Sequence, residues 1–343
     1  MKLTFTGDNG RVDELIAELL KTAKGIRRPD FVREMIIASL KAGQEDDDSG
    51  DLKLMSTSLK EMRFTSKVFS PYRRVRKVTV FGSARTPPAD PLYAMARRFG
   101  KQLAKAGYMV ITGGGSGIMQ AVNEGAGAAR SFAVNIRLPF EERPNPVLRG
   151  SRRQIHYKYF FNRKVAFLKE SDAVALFPGG FGTLDEAMET LTLVQTGKRN
   201  PMPLLLMDDP ACSYWSRITG FFKEELLARG YVCPSDFGLF ERVSSAEAAV
   251  EKIGRFYRRY HSIRYVDDRL VIRLAMPLSA ADIRELNDRF GDLLSPGGKI
   301  VASGALDVET EDADAVHLPR LLVDFDRRNF GRLRGLIDAI NDF

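Results

Sequence analysis

The chain of 343 residues is poor in the residue types that build disulfide frameworks and metal sites. It has two cysteines, Cys212 and Cys233, and three histidines, His156, His261 and His317. The cysteines do not form a C-x-x-C pair, and the histidines are scattered, so neither residue type follows a known ligand spacing. We therefore expect no disulfide framework, no metal site and no cofactor.

Long apolar runs are also lacking. The longest uncharged apolar stretches, such as AVALF and PMPLLLM, fall far short of the roughly 20 residues that cross a bilayer. The N-terminus, MKLTFTGDNGRVDELIAELL, interrupts its apolar residues with acidic ones, unlike a signal peptide. Since 44% of the residues are hydrophobic, we expect a soluble, cytoplasmic protein with a sizeable core and no membrane partner.

The net charge of +8 comes from many Lys and Arg residues rather than from a recognisable binding motif. Two short clusters stand out: Arg73, Arg74, Arg76 and Lys77, then Arg149, Arg152 and Arg153. Neither lies in a helix-turn-helix, zinc-finger or RNP-like pattern. The basic surface is compatible with a small phosphorylated ligand or with solubility alone, and nucleic acid is a minor alternative based on charge alone.

Changes of pattern along the chain predict three regions. Residues 1–70 carry helical spacing, interrupted at 44–51 by QEDDDSGD, which is typical of a flexible acidic linker. In residues 71–261 short β-branched runs alternate with amphipathic stretches, which predicts an α/β fold with an open, doubly wound, Rossmann-like parallel sheet. Residues 262–343 follow a β-α-β-β-α order, which indicates a small α+β domain. Its position suggests a regulatory or oligomerising role, and simple packing against the core is an equal alternative.

Glycines follow three of the predicted strands. They occur in Phe81-Gly82-Ser83, in 112–117 (TGGGSG) and in 178–183 (PGGFGT). In such a sheet ligands gather at the carboxyl ends of the strands. Glycine lets the backbone approach an anion, and the following helix offers free N–H groups. Tight turns alone would explain a single loop, but three together favour a phosphorylated ligand.

Two common nucleotide motifs do not fit these loops. A dinucleotide fingerprint would need a third glycine where Ile118 stands, and an acidic residue about twenty positions later. None of the three loops continues into the Gly-Lys-Ser/Thr of a Walker A motif. An oxidoreductase using a nicotinamide cofactor therefore remains only an alternative.

The segment after the last glycine loop has two interpretations. Thr183-Leu-Asp-Glu186 has the form of a capping box, in which Thr and Glu satisfy the first N–H groups of a helix. The same position in the first turn would place the Glu186 carboxylate beside a ligand whose phosphate lies on the Gly180–Thr183 amides. The helix end would then lower the pKa of Glu186 and keep it ionised.

These residues resemble the LOG ("lonely guy") family. PGGFGTLDE (178–186) matches its PGGxGTxxE motif, and Arg163-Lys164 in FFNRKVAFL matches its Arg-Lys pair. GGGSGIMQA and FGSAR occupy the places of its other glycine turns, so the resemblance covers about residues 76–230. It implies a phosphoribohydrolase, which cuts the N-glycosidic bond of AMP or of a cytokinin ribotide. It also implies at least a homodimer with sites near the interface. The family has also carried the label lysine decarboxylase, for which we find no pyridoxal-phosphate lysine in the sequence.

Residues and resemblance together define the candidate site. Arg163 and Glu186 are the candidate catalytic residues. Glu186 would stabilise the cationic sugar, bind its hydroxyls or orient the attacking water, and Arg163 would stabilise the departing base. A guanidinium does not readily give up a proton, so the source of the proton for the base stays open. The candidate substrate-binding residues are Gly82, Ser83, Gly114, Gly115, Lys164, Gly179, Gly180, Gly182 and Thr183.

One segment departs from the family pattern. Tyr159-Phe160-Phe161-Asn162 stands where plant-type members have Asp-Met-His-Gln. If it lines the base pocket, its aromatics would change which base is accepted, so AMP is at least as plausible a substrate as a cytokinin ribotide. The prediction is thus hydrolysis of a purine nucleoside 5′-monophosphate. A nucleotide-binding sensor without catalysis is the alternative from another class.

Overall fold

The computed structural model describes residues 2–45, 48–136, 145–309 and 314–343. The chain divides into two compact units, Met1–Phe64 and Thr65–Phe343. The further division near residue 261 remains a proposal based on a change of sheet. In the described ranges no helix is long and apolar enough to cross a membrane.

The first three helices are α1 (Arg11–Ala23), α2 (Pro29–Glu45) and α3 (Ser49–Phe69). In the first unit Ile16 and Ile37 pack with Leu3 to form a small apolar core. Most residues of the predicted flexible linker, 44–51, are helical instead. Its first two residues end α2, residues 46 and 47 lie outside the described ranges, and α3 begins at Ser49.

The predicted open parallel sheet is confirmed and has seven strands. These are β1 (Lys77–Phe81), β2 (Met109–Thr112), β3 (Ser131–Ile136), β4 (Gln154–Tyr157), β5 (Ala173–Leu176), β6 (Leu204–Met207) and β7 (Glu241–Val243). Their order is β4-β3-β2-β1-β5-β6-β7, and all neighbours are parallel. The sequence analysis missed the two edge strands, β4 and β7, which are short and of mixed polarity.

Helices cover both faces of this sheet. They are α4 (Pro91–Lys105), α5 (Ile118–Ala126), α6 (Phe160–Glu170), α7 (Phe181–Gln195), α8 (Tyr214–Phe221) and α9 (Ala246–Phe256). Residues of α4, α5 and α9 form one core with β1, and residues of α6, α7 and α8 form a second core on the other face. The start of α4 follows from its sequence, since the Asp90 carboxylate accepts a hydrogen bond from the Leu92 N–H at 2.8 Å and Pro91 holds the first helical position.

The strand order reverses between β1 and β5. From β1 the chain adds strands outward to β4, and it then returns to the other side of β1 to place β5. The carboxyl ends of strands flanking such a reversal leave a crevice between their loops, and ligands of open α/β sheets bind there. The fold therefore brings Gly82-Ser83, after β1, next to Pro178-Gly179, after β5.

The two basic clusters lie away from this crevice. Arg73 and Arg74 precede β1, and Arg152 and Arg153 precede β4. In a parallel sheet these positions share the amino edge, opposite the glycine loops. The clusters consequently do not line the ligand site proposed below.

A second, antiparallel sheet follows, with the order β10-β11-β9-β8. Its elements are β8 (Tyr260–Val266), β9 (Arg269–Leu274), α10 (Ala280–Arg289), β10 (Ile300–Ser303), β11 (Arg320–Val323) and α11 (Phe330–Asp342). The predicted β-α-β-β-α order is wrong in one respect, because its first strand is in fact a hairpin formed by β8 and β9. Asp267, with φ of 52°, and Asp268 make its two-residue turn, a position that suits Asp and Asn.

Candidate active site

The three glycine-bearing loops meet in a cleft of about 830 Å³ at the carboxyl edge of the parallel sheet. Backbone hydrogen bonds join the loops to one another. The Ser83 N–H donates to the Pro178 carbonyl at 3.0 Å, and the Ile118 N–H donates to the Ser83 carbonyl at 3.0 Å. The cleft therefore has a wall of cross-bonded main chain rather than of independent flexible turns.

Two positions in these loops require glycine, because atoms of the neighbouring loops or of α7 lie too close for a Cβ. Gly117 has a φ of 61°, and a Cβ there would lie 2.3 Å from the Ser83 carbonyl oxygen. A Cβ on Gly179 would lie 2.2 Å from the Thr183 Oγ1 and 3.0 Å from the Ser83 nitrogen. A larger residue at either position would push the loops apart and open the cleft wall.

The structure brings eight of the predicted site residues together in the cleft lining: Gly82, Ser83, Arg163, Gly179, Gly180, Gly182, Thr183 and Glu186. Gly114 and Gly115 are outside this lining, which includes Gly113 instead. Gly114 packs inward, with a φ of 73° and its Cβ position 2.6 Å from the Asn135 side chain. It shapes the turn and is not placed to contact a ligand in the cleft.

The helix after the last glycine loop starts earlier than the capping box predicts. α7 begins at Phe181, and Gly180 is its N-cap without a side-chain hydrogen bond. The Thr183 N–H donates to the Gly180 carbonyl at 3.0 Å, so the Thr183 amide is already used. The capping-box interpretation is therefore wrong, and Glu186 lies in the second turn. The amides that helix geometry leaves open toward the cleft are those of Gly180, Phe181 and Gly182.

Glu186 is a buried carboxylate on the floor of the cleft. It is only 3% exposed, and its Oε2 has no hydrogen-bond partner among the described residues. Burial raises the pKa of Glu186 to about 7, although the cations of Lys164 and Arg163 pull it down. The expectation that the helix end would keep its pKa low is wrong, because desolvation exceeds the attraction of the nearby charges.

Lys164 does not line the cleft but supports Glu186 from behind. Its Nζ lies 2.7 Å from Asp185 Oδ2, 2.8 Å from Glu189 Oε2 and 3.6 Å from Glu186 Oε1. These carboxylates raise the pKa of Lys164 against the opposing effect of burial, so the side chain stays protonated. Lys164 thus places a fixed cation beside Glu186.

Arg163 faces the cleft from α6, one residue before Lys164. Its guanidinium carbon lies 4.8 Å from the ring centre of Phe160 and 5.6 Å from that of Phe167. Burial lowers the pKa of Arg163, and its Nε has no hydrogen-bond partner among the described residues. In the described ranges it makes no ion pair with Glu186 within 4.0 Å, so a hydrogen-bonding group remains available to a ligand.

The aromatic segment before the Arg-Lys pair, residues 159–162, is not part of the cleft lining. Tyr159 and Phe161 stack on each other with ring centres 5.5 Å apart, and Phe160 is 51% exposed. The aromatic wall on this helix is Phe167, four residues after Arg163. Residues 159–162 were expected to influence which base is accepted if they line the base pocket. Within a single copy of the chain they do not line the cleft, so this expectation has no support there.

Sequence reasoning also missed side chains that contribute to the cleft, notably Arg85, Met119, Phe167, Tyr214 and Ile218. Tyr214 donates from its hydroxyl to the Gly179 carbonyl at 2.7 Å and so fixes the glycine loop. It begins α8, which is distant in sequence from every glycine motif, so no local pattern marked it. Arg85 belongs to the FGSAR stretch, and this motif was the available signal.

The described ranges contain no group of three or more His, Cys, Asp or Glu side chains placed to hold a metal ion. The polar groups of the cleft lining are main-chain amides, the two guanidinium groups of Arg85 and Arg163, the Glu186 carboxylate and the hydroxyls of Ser83, Thr183 and Tyr214. That set can bind an anion at one end and stabilise positive charge at the other.

Comparison with known proteins agrees with this arrangement. Residues 116–253 match the family model described as "Possible lysine decarboxylase". The chain is 26% identical over 189 residues to the cytokinin riboside 5′-monophosphate phosphoribohydrolase LOG3 of Arabidopsis thaliana, with 53% of this chain and 84% of that protein covered. It is 28% identical over 207 residues to the enzyme LOG of Oryza sativa subsp. japonica, with 57% and 80% covered.

The resemblance to the LOG family is thus confirmed. Among solved structures, the chain is similar to the structural-genomics target TM1055, with 27% identity, a TM-score of 0.39, and coverage of 53% of this chain and 99% of that one. The matched stretch of the family model contains both the Arg163-Lys164 pair and the PGGFGTLDE motif.

Proposed function

We propose that this chain is a phosphoribohydrolase of purine nucleoside 5′-monophosphates. Its substrate would be AMP or an N6-substituted AMP such as a cytokinin ribotide, and its products the free base and ribose 5-phosphate. The observation that carries the proposal is Glu186, a buried carboxylate in a cleft built from glycine loops, whose Oε2 has no hydrogen-bond partner among the described residues. A module that only binds phosphate has no use for such a carboxylate beside its anion.

The phosphate end of the cleft is the N-terminus of α7. The Gly180, Phe181 and Gly182 amides would donate to the phosphate oxygens, and the helix end adds partial positive charge. Glu186 follows Phe181 by five positions, which places it roughly 7.5 Å farther along the helix axis. This spacing leaves room for a ribose between the phosphate and the carboxylate.

The bond to be cut joins C1′ of the ribose to a ring nitrogen of the base. As it breaks, its electron pair leaves with the base and positive charge develops on the sugar, which the Glu186 carboxylate stabilises. A water oxygen forms the new bond to C1′. Glu186, with a pKa of about 7, is suited to take the proton from that water near neutral pH.

Arg163 acts on the leaving group in this scheme. Its guanidinium donates hydrogen bonds to the departing base and so stabilises the negative charge that the base acquires. It keeps its own proton, so the base receives a proton from water or from protonated Glu186 as the reaction closes. Lys164 positions Glu186 and limits the rise of its pKa.

The resemblance also implies a homodimer, and exposed apolar side chains near the cleft support it. Phe160, Phe161 and Val165 of α6 are 51%, 47% and 45% exposed, and Phe181 of α7 is 92% exposed. We call these four residues the α6–α7 apolar surface. Such a group of large apolar side chains beside a site is typical of an interaction surface, and we propose that a second copy of the chain covers it.

The test is incubation of the purified full chain with AMP and with N6-isopentenyl-AMP, followed by chromatography of free base and ribose 5-phosphate. We expect release of both products, and a loss of roughly a hundredfold or more in kcat for Glu186→Gln and Arg163→Ala. Release from neither nucleotide would overturn the proposal. Equal turnover by wild type and Glu186→Gln would leave the activity standing but remove Glu186 from it.

A further inference from the structure

The short turn after β1 holds an arginine at the mouth of the cleft. The Ser83 Oγ accepts a hydrogen bond from the Arg85 N–H at 3.1 Å, and the Ser116 Oγ donates to the Ala84 carbonyl at 2.7 Å. The Ser83 N–H is also bonded to the loop after β5, at Pro178. The turn that carries Arg85 is therefore hydrogen-bonded to both neighbouring glycine loops through Ser83 and Ala84, and the Arg85 side chain lines the cleft.

The charge balance of the cleft distinguishes Arg85 from the other cations. Its charged lining residues in the described ranges are Arg85, Arg163 and Glu186. Arg163 lies beside Phe167 and within the electrostatic influence of Glu186, and Lys164 behind them is paired with carboxylates. Within the described ranges the Arg85 guanidinium has no ion pair and no hydrogen bond, and it is exposed. The cleft thus contains a cation that no carboxylate among the described residues neutralises.

We propose that Arg85 binds the 5′-phosphate of the substrate from the side opposite the α7 amides, and that it makes the site selective for nucleotides over nucleosides. This inference rests on the proposed function for its choice of ligand. A guanidinium presents a planar fork of N–H donors that matches two phosphate oxygens. The helix end supplies only partial charge, so the guanidinium provides the full positive charge that a phosphate dianion requires.

The division of roles follows from position. Arg85 is attached to the turn that directly contacts the Pro178-Gly179 loop, at the phosphate end. Arg163 is attached to α6, beside Glu186 at the base end. A nucleoside without the phosphate would still meet Arg163 and Glu186 but would leave Arg85 unused. Removing Arg85 should therefore weaken nucleotide binding and spare nucleoside binding.

The experiment compares full-length wild type with Arg85→Ala, Arg85→Lys and Arg73→Ala. Arg73 is the matched control, because it is an exposed arginine at the opposite edge of the sheet. Calorimetry measures dissociation constants for AMP and for adenosine, and product release is followed in parallel. Circular dichroism and thermal unfolding check that each variant is folded.

We expect Arg85→Ala to weaken AMP binding by about tenfold to a hundredfold, the range for losing a charge-assisted contact, and to change adenosine binding less than about twofold. Arg85→Lys should recover part of the loss, since it keeps the charge without the fork, and Arg73→Ala should match wild type. Equal weakening of AMP and adenosine, or equal effects of Arg85→Ala and Arg73→Ala, would overturn the inference. So would a wild type that binds no AMP.

The same data separate this inference from the proposed function. AMP binding that depends on Arg85, without release of base, would support the Arg85 inference and overturn the hydrolase. Release of base together with an AMP affinity that does not change in Arg85→Ala would support the hydrolase and overturn the Arg85 inference.

Discussion

At the scale of single residues, the ionisation of Glu186 follows from burial. The N-terminus of a helix lowers the pKa of a nearby carboxyl group, but this effect falls off within the first turn. Glu186 lies in the second turn and is 3% exposed. Its carboxylate has therefore exchanged water for a poorly solvating interior, with Lys164 as a partial replacement.

This ionisation predicts how stability depends on pH. The pKa of Glu186 is raised in the folded chain, from 4.5 to about 7, so between these values the native state binds more protons than the unfolded state. The contribution of this group to the free energy of unfolding must fall as pH rises through that window. At about 1.4 kcal/mol for each pH unit, the full difference is on the order of 3 kcal/mol.

Glu186→Gln should therefore be as stable as wild type near pH 4.5 and more stable by up to about 3 kcal/mol above pH 8. Urea denaturation of both proteins across this range measures the difference. As a control, the same pair of proteins is compared in a Lys164→Met background. There the stability difference should keep growing to higher pH, because Lys164 lowers the pKa of Glu186 and its removal lets that pKa rise. A difference that does not vary with pH would refute the assignment.

At the scale of elements, two glycines set the distance between α4 and α5. A Cβ on Gly100 would lie 2.2 Å from the Val122 carbonyl oxygen, and a Cβ on Gly125 would lie 1.9 Å from the Arg97 carbonyl oxygen. The helices can pack with their backbones in direct contact only because both positions lack a side chain. The N-cap of α5 is Gly117, so this contact also positions the loop that borders the cleft.

We expect Gly100→Ala to destabilise the chain by roughly 1–3 kcal/mol, because the added methyl forces two backbones apart. The matched control is Gly254→Ala in α9, where a Cβ would meet nothing within 4 Å. It should be neutral or stabilising by about 0.5–1 kcal/mol, as helix propensity predicts. Chemical denaturation measures both, and equal effects would contradict the close contact.

At the scale of the whole molecule, the α6–α7 apolar surface predicts association. Sedimentation should give a mass of at least twice the 38.4 kDa of the chain. Phe161→Glu combined with Val165→Glu should shift it toward the monomer, because burying two carboxylates in an interface is costly. The control is Val301→Glu, at an exposed position of β10. A monomeric wild type, or dissociation by the control alone, would contradict the prediction.

Local pattern was sufficient for much of the fold. Alternating β-branched and amphipathic stretches predicted the inner strands, such as β1 and β5, because strands buried on both faces are continuously apolar. The edge strands β4 and β7 carried no such signal. The Asp267-Asp268 turn was overlooked because only two residues separate its flanking strands, which were therefore interpreted as one strand.

The sequence by itself determined the chemistry that the site can perform. Its glycine loops and the Arg163-Lys164 pair are local motifs. They indicated the resemblance to the LOG family, and most of the site residues predicted from them line the cleft. Tertiary structure alone decided how those groups behave. The burial that raises the pKa of Glu186 and the Tyr214 contact to Gly179 depend on neighbours distant in the chain. So does the absence of an ion pair on Arg85 among the described residues. Desolvation and charge pairing are properties of packed surroundings, and no spacing of residues along a sequence specifies them.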